Sequence, residues 1–372
     1  MPMGLASQGV RERHHSSLIS PDELASRLRA GSMGVLIDVR TADEHAAWSI
    51  PGSINLPLDA LPEQLDALPL GTPITVYCAS GGRSARAAAL LEASGRSVSD
   101  LAGGMSAWAR TYDVATITIG PTEIVQFQRR GKGCLSYLVV AGGEALAIDP
   151  SSAVGQYTRY CDDRGVRLVA VVDTHLHADH ISGAQALAAA TGADLYLSGT
   201  EGYAFPHIDA KGRTLPIGDP AVLAQVHEAP GHTGGSILLD VAGAALFTGD
   251  TLFVDGVGRP DLADAIDRDA IALHGSLRSL VAHFSDGVWV LPAHTKATAG
   301  VRNHGVVGAP LGTVRGRVPE LDASPEAFLA HAREAVSARP ANAVRLVELN
   351  RSGGSIDEEA LALEIGPNRC AL

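Results

Sequence analysis

The chain has 372 residues, a length at which more than one hydrophobic core is the expectation. Hydrophobic residues make up 46% and charged residues 19%, a globular composition that argues against disorder. A formal net charge of −12 argues against a nucleic-acid or anionic-membrane binder, whose surface needs clustered Lys and Arg, but leaves room for a local basic pocket.

Residues 1–16 are polar, with Arg11, Arg13, His14 and His15, and read as a flexible leader without a signal-peptide core. No stretch approaches the apolar length of a transmembrane helix. Cys78, Cys134, Cys161 and Cys370 form no CxxC pair, which fits a reducing cytoplasm. From Leu18 to about Thr111 short apolar runs alternate with helical segments. Ser20-Pro21-Asp22-Glu23 opens a helix, with Ser20 as N-cap and Pro21 at the first helical position. Val35–Val39 and Ile74–Tyr77 read as buried strands, and Gly82 to Ala93 as a helix. This alternation predicts a parallel sheet flanked by helices, in a domain spanning 17–113.

A second domain is expected over 116–372, after a short connection near Tyr112–Thr116. Cys134–Val140 and Ala145–Ile148, separated by Gly142-Gly143, read as a hairpin. Further strands are expected at Leu168–Val172, Leu195–Leu197, Ile237–Leu239, Ala245–Phe247 and Val288–Leu291. Helices are expected over Val154–Arg164, Gly183–Thr191 and Asp267–His283. Gly300–Pro319 reads as loop, and a last helix is expected from Ser324 to about Ser337.

Two constellations carry chemistry. Cys78 ends a strand and is followed by Ala79, Ser80, Gly81, Gly82, Arg83 and Ser84 at the start of a helix. Small residues there let backbone N–H groups converge, and the helix N-terminus adds positive potential that lowers a thiol pKa. Arg83 and Ser84 can add contacts to an oxyanion. The second constellation is Asp173-Thr174-His175-Leu176-His177-Ala178-Asp179-His180 at a strand end. His175 and His177, on alternate residues, can face one metal; Asp179 and His180 face an adjacent position. His232, Asp250 and His294 follow, each at a strand end or loop. His45, His207, His227, His274, His283 and His331 read as surface or structural residues, and His304, in the loop after His294, stays open. Cys134, Cys161 and Cys370 read as buried small hydrophobes.

Over nearly 100 residues the first domain resembles rhodanese sulfurtransferases through Ile37-Asp38-Val39-Arg40 followed by Glu44, Ile50-Pro51-Gly52-Ser53-Ile54-Asn55, Tyr77-Cys78 to Arg83-Ser84, and Gly103-Gly104-Met105-Ser106-Ala107-Trp108. The resemblance implies that Cys78 carries sulfur as a persulfide. A six-residue loop disfavours a phosphatase, Asp38 and Arg40 become a structural ion pair, and Trp108 belongs to the core. The histidine segments, in order and spacing, resemble the metallo-β-lactamase superfamily from 116 to about 300, which implies an αββα sandwich. The fold expected is therefore an α/β rhodanese domain followed by that sandwich.

Within the superfamily two arrangements fit the residues. Two zinc ions on His175, His177, His232, Asp179, His180 and His294, with Asp250 bridging, make a glyoxalase II-like thioester hydrolase. One Fe(II) per chain on His175, His232 and Asp250 makes a persulfide dioxygenase, which oxidises a thiol persulfide with O₂ to sulfite and thiol. His177, Asp179, His180 and His294 then lie around the metal ligands. Segments 173–183 and 248–262 are similar to persulfide dioxygenases, and a rhodanese partner handles the same sulfane sulfur. Lys296 stands where animal-type members carry Tyr; the tail from Asn350 to Cys370 is more similar to bacterial fusions. Arg259 is the candidate for an anionic thiol substrate or, equally, a structural ion-pair residue. The expected partners are a low-molecular-weight thiol persulfide, thiosulfate or sulfite, and O₂, with no nucleic acid and no membrane; a homo-oligomer stays open. A third reading is a non-catalytic sulfur carrier or sensor.

Overall fold

A computed structural model describes residues 17–262, 265–295, 302–303, 305–336, 342–354, 356–366 and 370–371. The leader at 1–16, Lys296 and His304 lie outside them. Contacts divide the chain into two compact units between Thr111 and Tyr112.

The first unit is a parallel sheet of β1 (Ser17–Ile19), β2 (Val35–Asp38), β3 (Ile54–Asn55), β4 (Ile74–Tyr77) and β5 (Val98–Leu101), in the order β1-β5-β4-β2-β3. Helix Pro21–Ala30 starts where expected: the Ser20 hydroxyl accepts the Glu23 N–H at 3.1 Å. Central strand β4 is buried throughout, and its residues alternate between two cores. Ile74 and Val76 pack with Ala87, Ala88 and Leu91 of helix Gly82–Ala93; Tyr77 packs with Leu24, Met105 and Trp108. Each such fully buried aliphatic side chain stabilises the fold by about 1.5–3 kcal/mol. Arg40 grips the buried Asp38 through Nε at 3.0 Å and Nη2 at 2.7 Å, an ion pair that fixes the chain after β2.

The second unit begins with strand. The connection expected at Tyr112–Thr116 is the first half of β6 (Tyr112–Ile119), which pairs antiparallel with β7 (Thr122–Arg129). One sheet continues through β8 (Leu135–Ala141), β9 (Glu144–Ile148), β10 (Arg167–Val172), β11 (Asp194–Leu197) and β12 (Ile208–Asp209), in sequential order. Facing it is a sheet of β13 (Thr214–Ile217), β14 (Val222–Glu228), β15 (Ile237–Val241), β16 (Ala245–Gly249) and β17 (Trp289–Pro292). Period-two alternation divides their side chains. Tyr137, Val139, Leu146, Ile148 and Val172 face the core shared with the second sheet; Leu138, Ala145, Ala147 and Val171 face helices Gly155–Arg164 and Ala184–Thr191. Helix Ile266–His283 packs through Ala270, Leu273 and Leu277 into the first of these cores.

The C-terminal part departs from expectation. The supposed loop Gly300–Pro319 contains β18 (Arg302–Asn303), β19 (Val306–Val307) and β20 (Ala309–Pro310), which joins the second sheet beside β17, and a turn of helix at Leu311–Arg315. Its Gly and Pro content concealed Val306, Val307, Ala309 and Leu311, all fully buried. The helix expected from Ser324 runs Pro325–Glu334 with the Ser324 hydroxyl as N-cap, and is followed by helices Ala343–Ser352 and Glu358–Leu363. Among the described residues no helix is long and apolar enough to cross a membrane.

This tail is anchored by charge. Glu364 accepts Arg129 Nη2 at 3.0 Å and the Ile181 N–H at 2.9 Å, while Lys132 Nζ donates to its carbonyl at 2.8 Å. Arg129 and Glu364 side chains are 2% and 1% exposed. Glu364→Ala, which removes the carboxylate paired with a buried guanidinium, should destabilise the second unit by about 3–5 kcal/mol in urea denaturation. Asp267→Ala, which breaks the exposed pair with Arg333, should leave the transition where it is. Equal responses would mean that burial of the Arg129–Glu364 pair is immaterial.

Candidate functional site

Strand β4 delivers Cys78 to the mouth of a tight turn. Gly81 adopts φ +111, a left-handed value open to Gly, and its N–H points at Cys78 Sγ at 3.1 Å. The Ser84 hydroxyl lies 3.4 Å from Sγ and 3.1 Å from the Gly81 carbonyl. Burial raises the thiol pKa, but hydrogen bonds from Ser84, Gly81 and Ser80 outweigh it and leave the pKa below its ordinary value. The turn is backed by the second glycine motif. Met105 and Ser106 N–H groups cap the Cys78 and Ala79 carbonyls, and a Cβ on Gly104 would lie 2.4 Å from the Cys78 oxygen. Ser80 and Gly82 are exposed at the rim. Arg83, expected to contact an anion, is paired here with Glu44. Its two terminal nitrogens hold Glu44 at 2.7 Å each, pulling that carboxyl down to about 2, so Arg83 anchors the start of the helix.

In the second unit the segment after β10 is buried from Asp173 to His180. His175, His232 and Asp250 converge: His175 Nε2 lies 3.7 Å and His232 Nε2 3.4 Å from Asp250 Oδ2. Each imidazole is oriented through its other nitrogen. His175 Nδ1 donates to Thr174 Oγ1 at 2.9 Å, and that hydroxyl donates in turn to Asp149. His232 Nδ1 donates to the Arg259 carbonyl at 2.9 Å. Both Nε2 lone pairs therefore point at the same place, as hydrogen bonds to the opposite ring nitrogen arrange in metal sites. Gly249 makes the approach possible: φ is +51, and a Cβ there would lie 2.5 Å from Thr174 Oγ1. His175 Nε2 and Asp250 Oδ2 are buried with no hydrogen-bond partner, a costly arrangement unless a cation takes both. Burial, with His177 and His232 nearby, drives the His175 pKa well down, and burial lowers that of His232, so both imidazoles are neutral. Two neutral imidazoles and a carboxylate suit a divalent iron or zinc ion.

The other histidines are held differently. His177 Nε2 sits 3.3 Å from Asp149 Oδ1 and 3.8 Å from Asp173 Oδ1; burial lowers its pKa, but the two carboxylates carry it well above the usual value. His180 Nδ1 meets Asp179 Oδ1 at 2.9 Å and its pKa, lowered by burial and raised more by Asp179, comes to about 9. His294 links two acids, with Nδ1 2.5 Å from Asp250 Oδ1 and Nε2 3.0 Å from Asp179 Oδ2. Two cysteines read as hydrophobic filler belong to this cluster. Cys134 Sγ lies 3.5 Å from Asp179 Oδ2, and Cys370 joins Asp250 and His294. Cys161 does pack as a small hydrophobe. Asp149 was also missed, although a carboxylate at the end of an apolar strand was a visible signal. Nothing local marks Cys134, which is placed by a β-bridge to His294.

The tail holds these loops. Asn350 Nδ2 donates to the His177 and His180 carbonyls at 2.9 and 2.8 Å, and its Oδ1 accepts the Ser182 N–H at 2.9 Å. The Arg259 N–H donates to the Cys370 carbonyl at 3.0 Å. Arg259 itself is 1% exposed, with its guanidinium on Asp261 at 2.6 Å through both Nε and Nη2. Of the two roles expected for it, this geometry matches the ion pair. A cavity of ≈ 600 Å³ runs past His232 and Leu176 to Val344, Val347 and Arg351 of helix Ala343–Ser352, which gives a substrate an approach.

Thr174→Val, which keeps the shape but removes the relay to Asp149, should weaken metal binding roughly 10–100-fold in a competitive chelator titration, with Thr174→Ser restoring it. Unchanged affinity in the Val variant would sink the orienting role. Ser84→Ala removes a bond to the thiolate and should move the pH midpoint of Cys78 alkylation upward, so that at neutral pH the reaction slows. A midpoint that stays put or falls would show that Ser84 does not stabilise the thiolate.

Comparison with known proteins agrees with both halves of this geometry. Residues 20–111 match the Rhodanese-like domain, and residues 129–295 match the Metallo-beta-lactamase superfamily. The chain is 33% identical over 204 residues to a hydroxyacylglutathione hydrolase of Anaeromyxobacter dehalogenans, covering 54% of this chain and 77% of that protein. It is 38% identical over 124 residues to the hydroxyacylglutathione hydrolase of Methylobacillus flagellatus, covering 33% of this chain and 49% of that protein, about half its length. ETHE1 from Myxococcus xanthus superposes with a TM-score of 0.55 at 27% identity, over 64% of this chain and 100% of that one. A metallo-beta-lactamase from Staphylococcus aureus gives 0.56 at 25% identity, over 64% and 75%. The chain belongs to the metallo-β-lactamase superfamily and carries a rhodanese-like domain ahead of its metal domain.

Proposed function

We propose that the metal domain is a persulfide dioxygenase and that the rhodanese-like domain moves sulfane sulfur through a Cys78 persulfide. The reaction takes a thiol persulfide, O₂ and water to thiol and sulfite. The observation that carries it is the convergence of His175 Nε2, His232 Nε2 and Asp250 Oδ2, two of these atoms being buried without a hydrogen-bond partner. Two imidazoles and one carboxylate would hold a single iron and leave it open positions; when bound, iron supplies a place where O₂ and a substrate sulfur meet. The protein's own part is orientation. The Asp149–Thr174 relay fixes His175, the Arg259 carbonyl fixes His232, and the cavity beside His232 admits a small thiol while its apolar walls limit water. At Cys78, the Gly81 N–H and the Ser84 hydroxyl would cradle a persulfide anion. The fold likeness to ETHE1 fits this reading, as does the rhodanese partner, which handles the same form of sulfur.

A second reading has its own support. The Anaeromyxobacter relative is named a hydroxyacylglutathione hydrolase, and Asp179, His180 and His294 are close enough to hold a second ion. A dinuclear zinc hydrolase would need His177 beside His175 on the first ion. His177 instead sits between Asp149 and Asp173, which favours the mononuclear reading.

The two readings diverge on one pair of variants. Asp250→Ala should abolish iron binding and persulfide-dependent oxygen uptake, whereas His177→Ala should retain most of the iron. Equal metal loss in both variants, together with thioester hydrolysis by the wild type, would establish the hydrolase instead.

A further inference from the structure

Behind the Cys78 turn lies a carboxylate that the anion cradle does not use. Asp100 stands on β5, in register with Leu18 of β1 and Val76 of β4, and shares one face of that strand with Val98. Val98 packs with Val76, Cys78, Ala87 and Ala88, so Asp100 is aimed beneath helix Gly82–Ala93. The residue is 4% exposed, and its Oδ1 is buried without a hydrogen-bond partner. Burial holds its pKa above the ordinary carboxylate value, and the Ser84 hydroxyl pulls it partly back. The other charges about the turn are already paired, Arg83 with Glu44 and Arg40 with Asp38, and the strand neighbours Leu18 and Val76 carry none. Ser84 is fully buried and has one hydroxyl proton for three acceptors: Cys78 Sγ at 3.4 Å, the Gly81 carbonyl at 3.1 Å and the Asp100 carboxylate. While Asp100 is ionised it competes with sulfur for that proton. Once protonated it is a donor, and the Ser84 hydroxyl is released toward sulfur. Cys78 itself is 2% exposed, so its anion shares a poorly solvated space with the carboxylate. Two like charges there repel, and a proton taken up by one of them removes the conflict.

We infer that Asp100 is a positioning residue for sulfur transfer that works through Ser84: ionised while Cys78 is a thiol, it takes the proton that leaves when Cys78 becomes a persulfide anion. The inference rests on the sulfurtransferase reading of this unit. With thiosulfate as donor, Cys78 Sγ forms a bond to the outer sulfur, the S–S bond of thiosulfate breaks, and its electron pair leaves with sulfite. The thiol proton passes by way of the Ser84 oxygen to Asp100. Charge balances: a neutral thiol, a carboxylate and a thiosulfate dianion become a persulfide anion, a neutral carboxyl and a sulfite dianion. The turn therefore holds one buried negative charge before and after the step, and never has to accommodate two. In the product state the protonated Asp100 donates to Ser84, and Ser84 donates to the sulfur anion beside the Gly81 N–H.

The pH dependence of Cys78 alkylation in the full chain tests the pairing without any sulfur donor. Asp100→Asn keeps the shape but removes the like charge and the competing acceptor, so it should lower the midpoint by about 1 pH unit and quicken alkylation below it about tenfold. Damage to the turn through lost hydrogen bonds has the opposite sign, as expected for Ser84→Ala, so an unchanged or higher midpoint overturns the inference. Infrared difference spectra taken before and after thiosulfate follow the proton itself. At neutral pH persulfidation should bring up the carbonyl stretch of a protonated carboxyl, and both Asp100→Asn and Cys78→Ser should lack it. No such band in the wild type, or a band that survives Asp100→Asn, defeats the proposal. Should Asp100→Asn fail to fold, wild-type protein isotopically labelled at its aspartate carboxyls decides: a shifted band supports Asp100, and an unshifted one assigns the proton to another residue type and overturns it. Mass spectrometry of the same samples keeps the two readings apart. If thiosulfate adds no sulfur to Cys78 while Asp100→Asn still lowers the alkylation midpoint, the sulfurtransferase reading falls and the coupling of Cys78 to Asp100 stands.

Discussion

The structure of the second unit depends on the burial of four carboxylates, Asp149, Asp173, Asp179 and Asp250, in one small volume with five imidazoles. Ionised carboxylates cannot be taken out of water unless hydrogen bonds and positive charge replace the solvent. Imidazoles answer part of that demand, and so does the Thr174 hydroxyl. The remaining demand is visible in the atoms left without partners, above all Asp250 Oδ2 and His175 Nε2. The packing around the cluster follows from this constraint. Backbone carbonyls of the histidine segment need donors, which Asn350 provides; the Ile181 N–H needs an acceptor, which Glu364 provides.

Much of the first unit and the sandwich strands can be read from sequence because apolar periodicity and burial coincide there. β7 is the instructive exception. Gln126 and Gln128 look like solvent-facing residues, but both are buried, and Gln126 exchanges hydrogen bonds with the Val307 backbone as a strand neighbour would. A buried glutamine that finds a backbone partner cannot be told by type from an exposed one. Asn350 misleads for the same reason: it occupies a buried position of an amphipathic helix, with its amide turned inward on three backbone groups.

At the site, residue type was informative for histidine and much less so for cysteine and arginine. Three imidazoles within six residues of a strand end announce a metal whatever the fold. Cys134 acquires meaning only through pairing with His294 across the fold, a contact no local pattern encodes. Arg83 was read as a contact for a bound anion and Arg259 as either that or a structural ion-pair residue; each is paired with an acid of the chain itself. For Arg259 that acid is Asp261, two residues on, so the correct reading lay within the same motif. Glu44 is 39 residues from Arg83, and the pairing depends on β2 and β4 lying side by side.

The hold of the tail on the histidine segment also has a temporal side. Asn350 emerges 170 residues after His180, and Glu364 183 residues after Ile181. A chain made from its N-terminus can complete the first unit, and pair strands of the second, well before those partners exist. The carbonyls of His177 and His180 stay hydrated in the interval, so an ion arriving early meets ligands on a loop that has not yet been fixed. Selectivity for the right ion would then be acquired last, as the final helices dock, and would depend on the order in which metal and tail arrive as well as on equilibrium affinity.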